Sequence, residues 1–146
     1  LKNLGPEPLE KKFNFSYFKQ YIINKNRTIK DILMDQKFIS GLGNIYVNET
    51  LFFSGIKPTK KAKNLSEREI RKIIKFIKRI LSKAIALGGS SIKNFSSNNG
   101  KKGLFQQYFC VYGKKGEKCS KKSCGSNIIK IVISNRATFY CDKCQK

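Results

Sequence analysis

Four of the five cysteines fall in two pairs near the C-terminus, Cys119/Cys124 and Cys141/Cys144, separated by sixteen residues. Tetrahedral zinc takes thiolates from two short loops joined by a hairpin, and C-x4-C followed by C-x2-C supplies that arrangement. The chain has no histidine, so a zinc site here is all-cysteine and structural, and every mechanism that needs an imidazole is excluded. Two disulfides are the alternative use of the same residues, disfavoured because nothing in the sequence marks secretion. Cys110 stands apart in the apolar run Phe109-Cys110-Val111 and reads as a small buried thiol.

Between the cysteine pairs, Asn127 to Ser134 and Arg136 to Tyr140 read as a β-hairpin with its tip near Ser134-Asn135. Arg136 then projects from close to the tip of a metal-clamped ribbon, where an always-protonated fork can bind phosphate or donate to a reacting group. A solvated turn arginine is the bland alternative. Upstream, Gln36 to Gly43 is too long for a tight turn and holds glycines at 41 and 43, where positive φ is expected. Helices joined by such a double turn present free amides and a helix N-terminus, here at Asn44, as a site for phosphate.

A formal charge of +22 favours a polyanionic partner, nucleic acid first, because each phosphate neutralised releases condensed counterions. Lysine outnumbers arginine 26 to 5, a bias that an AT-rich genome produces without selection, so most single lysines read as solvated surface. The shortage of acids, nine in all, survives that discount.

The elements that must position these groups follow from periodicity. A short helix opened by Ser16 carries Tyr17, Phe18, Tyr21 and Ile22; a second, capped by Thr28, runs to Met34 or Asp35 with Ile29, Ile32 and Leu33 on its apolar face. A third runs from Asn44 to Ser54-Gly55, with Pro58 beyond it as a stop. Ser66 and Glu69 form a capping box for the longest helix, whose apolar stripe (Ile70, Ile73, Ile74, Ile77, Ile80, Leu81, Ala84 and Ile85) continues until Gly88-Gly89. Its other face carries Arg68, Arg71, Lys72, Lys75, Lys78, Arg79 and Lys83, a basic amphipathic pattern to which a scaffold role is assigned. Residues 88–103 read as a mobile loop and Leu104 to Tyr112 as a strand. With 40% hydrophobic residues the chain supports a modest core, and it has neither a bilayer-length apolar run nor a secretory leader; a soluble intracellular protein is expected. It opens at Leu1 without an initiator methionine, and Leu4 to Pro8 reads like a linker following another domain.

In order along the chain stand Leu4-Gly-Pro-Glu-Pro-Leu9, Leu33-Met-Asp-Gln-Lys37, Gly41-Leu-Gly-Asn-Ile-Tyr46, Asn48-Glu49, Ser54-Gly-Ile56 with Pro58, Gly88-Gly-Ser-Ser-Ile92, Gly103-Leu-Phe-Gln106, Val111-Tyr-Gly113 and Arg136-Ala-Thr-Phe-Tyr-Cys141 with Cys144-Gln-Lys146. Together these segments, which cover essentially the whole chain, closely resemble the C-terminal half of bacterial formamidopyrimidine-DNA glycosylase. The resemblance implies a mainly α fold with a small β zinc ribbon. Residues 1–13 would be an interdomain linker, 14–103 a helix–two-turn–helix DNA-binding domain with a lesion-capping loop at 88–106, and 104–146 a β-hairpin zinc finger; the catalytic N-terminal domain is expected upstream.

By the same resemblance, Cys119, Cys124, Cys141 and Cys144 hold one structural Zn2+. Lys25, Lys30, Gly43 and Asn44 lie on the DNA backbone. Arg136 binds phosphates flanking the lesion and assists δ-elimination, while Ser90, Ser91 and Lys93 contact the everted base. The parent enzyme removes oxidised purines (8-oxoguanine and formamidopyrimidines) through an N-terminal proline amine, helped by a glutamate and a lysine, and nicks the strand by β,δ-elimination. None of those three residues is present, so the chain alone is expected to bind oxidised or abasic duplex as a monomer and not to cleave it, in a bacterial cytoplasm. The first cysteine pair departs from the family, which commonly has two intervening residues rather than four. Other readings are a non-catalytic DNA-binding module, an endonuclease VIII-like enzyme for oxidised pyrimidines, and an RNA-binding zinc protein.

Overall fold

The computed structural model describes residues 3–87 and 109–146. Four helices, α1 (Phe15–Ile22), α2 (Ile29–Met34), α3 (Asn44–Ser54) and α4 (Glu67–Ala86), are followed by an antiparallel hairpin of β1 (Ile129–Ile133) and β2 (Arg136–Tyr140). The mainly α fold with a small β ribbon is what the chain adopts.

Local chemistry sets most helix starts. Thr28 accepts from the Asp31 amide, and at Ser66 both halves of the capping box with Glu69 are made. The first helix differs from expectation: Asn14, not Ser16, is its cap, accepting from the Tyr17 amide at 3.0 Å. The helix therefore starts at Phe15, and Phe18 and Ile22, one turn apart, are its buried residues. The fourth helix ends at Ala86 with Leu87 as its cap. Gly88 and Gly89, expected to stop it, lie outside the described residues, as do the capping loop 88–106 and most of the strand expected at 104–112.

One core joins α1, α2 and α3 to the buried stripe of α4, Ile70, Ile73 and Ile77, with Phe13, Phe18 and Phe38 at its aromatic end. The segment before α1 docks on this core. The Gly5 amide donates to the Gln36 carbonyl at 2.8 Å and the Ser40 amide to that of Pro6 at 2.9 Å. A Cβ on Gly5 would lie 2.3 Å from the Phe38 carbonyl oxygen, so only glycine permits that approach. A second cluster, Val111, Ile128, Phe139 and the cysteines, packs on Phe52 of α3.

The described end of the expected strand, 109–112, is not a strand. Its amides go elsewhere: those of Cys110, Val111 and Tyr112 all donate to the Glu49 carboxylate, at 2.7–2.9 Å. The hairpin turn falls at Ser134 and Asn135, both at positive φ (47° and 64°), as a two-residue turn between twisted strands requires. Among the described residues no helix is long and apolar enough to cross a membrane.

Candidate nucleic-acid interface

The hairpin and a second, tighter turn bring the four thiols together. Cys119 and Cys124 flank a loop closed by the bond from the Cys119 amide to the Ser126 carbonyl, 2.7 Å, and the two extra residues are absorbed with Ser123 in the left-handed region at φ 66°. All four sulfurs lie within 4.8 Å of one another. Individual separations are 3.4 Å (Cys124–Cys144), 3.5 Å (Cys124–Cys141) and 3.8 Å (Cys119–Cys144). A tetrahedron of bonds about 2.3 Å long has edges of about 3.8 Å, whereas a disulfide needs about 2.05 Å. The cysteines are free thiols, and the disulfide alternative is overturned. Their set fits one zinc ion.

Within the cluster the Ser126 amide holds the Cys124 thiol down at about 6, while burial pushes Cys144 up to about 12. Hydrogen bonds to the surrounding backbone fix the ligand loops: Gln145 Oε1 accepts from the Cys141 amide, and Lys143 Nζ donates to the Cys124 carbonyl. Such outer contacts orient thiolates that zinc would hold.

The ribbon is bonded to α3 along the helix's whole length. Asn44 Nδ2 donates to the Ala137 carbonyl at 3.0 Å. One turn on, Asn48 Oδ1 accepts from the Phe139 amide at 2.6 Å while its Nδ2 donates back to the Asn44 carbonyl. At the helix C-terminus, Gln145 Nε2 donates to the Ile56 carbonyl and Lys121 Nζ to that of Phe52. Each is a buried or half-buried polar group with a designated partner, so helix and ribbon move as one body.

Around this joint the structure places the residues singled out by sequence. Gly43 is the N-cap of α3 at φ −86°, not in the left-handed region where it was expected; Gly41 does occupy it, at φ 85°. An N-cap needs extended backbone, and Gly43 supplies that without a side chain in front of the helix. A Cβ there would meet none of the described residues within 4 Å, so among them the helix N-terminus opens on free space. Asn44 turns its carboxamide onto the ribbon, leaving its backbone at the mouth of the helix.

Lys30 is buried, its Nζ 2.9 Å from Thr138 Oγ1, and that hydroxyl donates in turn to the Arg136 carbonyl. Burial, with the Arg136 guanidinium adding to it, holds the Lys30 ammonium down to about 8 against the opposing pull of Asp31. Arg136 itself is exposed at the head of β2. Lys25, exposed on the α1–α2 connection, has its ammonium over the Tyr21 ring at 5.0 Å. The structure thus ties Lys30, Asn44 and Arg136 to one ribbon end and ties Lys25 to α1. Ser90, Ser91 and Lys93 lie outside the described residues.

Sequence reasoning missed Asn48, Glu49, Thr138 and Gln145 as joint residues. The available signal was Asn44 and Asn48, one turn apart, with Glu49 beside the second, in a helix whose middle is largely buried.

The class that this arrangement defines is a helix–two-turn–helix unit fused to a four-cysteine ribbon, with Lys30 and Arg136 at the joint. The family described as the H2TH domain of formamidopyrimidine-DNA glycosylase matches residues 4–96, and the zinc finger found in FPG and IleRS matches 116–146. The chain belongs to the formamidopyrimidine-DNA glycosylase H2TH family. It is 46% identical over 146 residues to the formamidopyrimidine-DNA glycosylase of Enterobacter sp. (strain 638), covering 100% of this chain and 54% of that protein. The Lactococcus lactis enzyme, solved non-covalently bound to abasic-site DNA, superposes with a TM-score of 0.85 at 41% identity, covering 99% of this chain and 51% of that one. Its complex with FAPY-dG-containing DNA gives the same TM-score and identity, with 99% and 52% covered. The chain spans about half the length of the relatives it matches.

Proposed function

We propose that this chain is the duplex-gripping half of a DNA glycosylase that excises oxidised purines and nicks the strand at the resulting abasic site. The observation that carries the reading is the joint: the open N-terminus of α3 and the exposed Arg136 are locked to one another through Asn44–Ala137 and Asn48–Phe139. Two phosphate-binding groups held at fixed separation grip a backbone in one bent geometry. The Lactococcus neighbours, solved with abasic and FAPY-dG DNA, support that use.

The residues divide the work by chemistry. Backbone amides at Gly43 and Asn44 face one phosphate with the helix dipole behind them. Arg136 takes the phosphates flanking the lesion in its planar fork and supplies the proton for δ-elimination. Lys30 adds charge beneath it, Lys25 contacts the backbone from the α1 side, and Ser90, Ser91 and Lys93 meet the everted base. Zinc, when bound by the four thiolates, supplies rigidity to the ribbon and no reaction step. Phosphate contacts of this kind offset the few kcal/mol, roughly, that base eversion demands.

The proline nucleophile and its two proton carriers are not among these 146 residues. In this reading the chain by itself binds without cutting, as a monomer and on the chromosomal DNA of a bacterium. The test is binding of the zinc-loaded chain to matched duplexes with and without an abasic site. Preference for the abasic duplex, lost in Arg136→Gln, supports the reading; equal binding to both duplexes, or an Arg136→Gln chain with undiminished preference, overturns it.

A further inference from the structure

We propose that the outer face of α4 is a second, sequence-independent contact for duplex DNA, separate from the joint of α3 and the ribbon. The proposal goes beyond the function above and shares with it only the premise that DNA is the polyanion.

Arg68, Lys72, Lys75, Arg79 and Lys83 recur at intervals of four, three, four and four residues, which is one straight line on an α-helix, about 22 Å long at about 1.5 Å per residue. All five are exposed, and Arg71 and Lys78 flank the line. The helix carries two carboxylates: Glu69 pairs with Lys60 at 2.8 Å, and Glu67 pairs with the flanking Arg71 at 3.1 Å. Three of the chain's five arginines, Arg68, Arg71 and Arg79, share this face. A lysine-rich composition accounts for scattered lysines; it does not gather the rarer, phosphate-matching fork on one helix.

The fold shows where that line points. Phe53 stacks on Phe76 of α4 at 5.9 Å. It lies nine residues beyond Asn44, about 180° around α3. Asn44 and Asn48 hold the ribbon on one side of α3 and α4 packs on another. Arg79 and Lys83 line a cavity with Glu49 and Phe109, whereas Arg68, Lys72 and Lys75 line a groove with Arg71 that holds no residue of the joint. Among the described residues, a duplex in the joint therefore leaves that stretch of α4 open. An anionic membrane is a poorer fit, because the apolar face that would insert is spent in the core, with Ile70, Ile73 and Ile77 at most 1% exposed. Two separate basic faces let one molecule hold two stretches of duplex and pass from one to the other.

The experiment is a titration of the full zinc-loaded chain with a short duplex of about one helical turn, read by light scattering and by salt dependence. The wild-type chain is expected to take up two duplexes. The variant Arg68→Gln/Lys72→Gln/Lys75→Gln/Arg79→Gln should take up one, with the salt slope of the lost step near 3.6, at about 0.9 per phosphate. Arg136→Gln should weaken the other step and keep the α4 step. Saturation of the wild-type at one duplex, or an α4 variant that still binds two, overturns the proposal while leaving the glycosylase reading intact. An α4 step lost equally with anionic vesicles and with DNA also overturns it. Loss of lesion preference with both steps retained sinks only the glycosylase reading.

Discussion

Lys30 Nζ meets Thr138 Oγ1 at 2.9 Å across 108 residues of sequence, joining α2 to the strand that carries Arg136. A buried ammonium with one neutral partner is costly when charged, which is why its proton is held less tightly than that of an ordinary lysine.

That relationship sets a pH dependence. Because the folded state binds the Lys30 proton more weakly than the unfolded chain does, the unfolded state carries more protons between about 8 and the usual lysine range. This group's contribution to stability therefore rises with pH across that window. Lys30→Met should be more stable than the wild-type chain at neutral pH, and its advantage should shrink above pH of about 8. Urea denaturation of both proteins at several pH values checks it; a constant difference would refute the assignment.

Glu49 accepts three amides of the chain entering the ribbon. Glu49→Ala leaves them buried without acceptors, at an expected cost of about 2–4 kcal/mol. Burial raises the affinity of this carboxyl for a proton, the three amides opposing. Glu49→Gln, which keeps an acceptor oxygen but loses the charge, should fall between. Thermal unfolding with zinc present measures both.

The two glycines of the double turn should behave differently. Gly41→Ala forces a side chain into φ 85°, at a cost of about 1–2 kcal/mol. Gly43→Ala, at φ −86° with no described residue within 4 Å, should cost no more than about 1 kcal/mol, through a poorer N-cap, while weakening DNA binding, because its methyl group stands in front of the helix N-terminus. Denaturation and DNA titration of the two variants separate a turn requirement from a phosphate requirement.

Removing zinc with a chelator should expose four titratable thiols and melt the hairpin while leaving most of the helical circular dichroism. The helical core contains none of the cysteines, whereas the ribbon's own cluster is built around them. Lesion-duplex binding should vanish with the metal and return when zinc is restored. Retention of binding without metal would separate the thiolates from the function.

What could be read in the sequence was whatever is local. The Ser66/Glu69 box, the Thr28 cap, the stripe of α4 and the two cysteine pairs each depend on residues a few positions apart. The four-thiolate site was legible for the same reason, since each pair makes one loop. Asn48 and Glu49 were not, because their partners, Phe139 and residues 110–112, lie 91 and 61–63 positions away. At Asn14 and Ser16 two good caps stand two residues apart, and cap propensity alone does not separate them; Asn14 takes the Tyr17 amide and Ser16 falls inside the helix. Gly43 carried no sign of whether it served by dihedral or by emptiness.

The widened cysteine loop has a mechanical consequence. Its Lys121 reaches the Phe52 carbonyl at 3.1 Å and sits 4.6 Å over that ring, so the C-terminal end of α3 is pinned to the ribbon's base just as Asn44 pins its start near the ribbon's tip. A rod fastened at both ends cannot pivot at one of them. Torque that a kinked duplex exerts on Arg136 is therefore delivered to the double turn through a stiff axle, and the two grips tilt together or not at all.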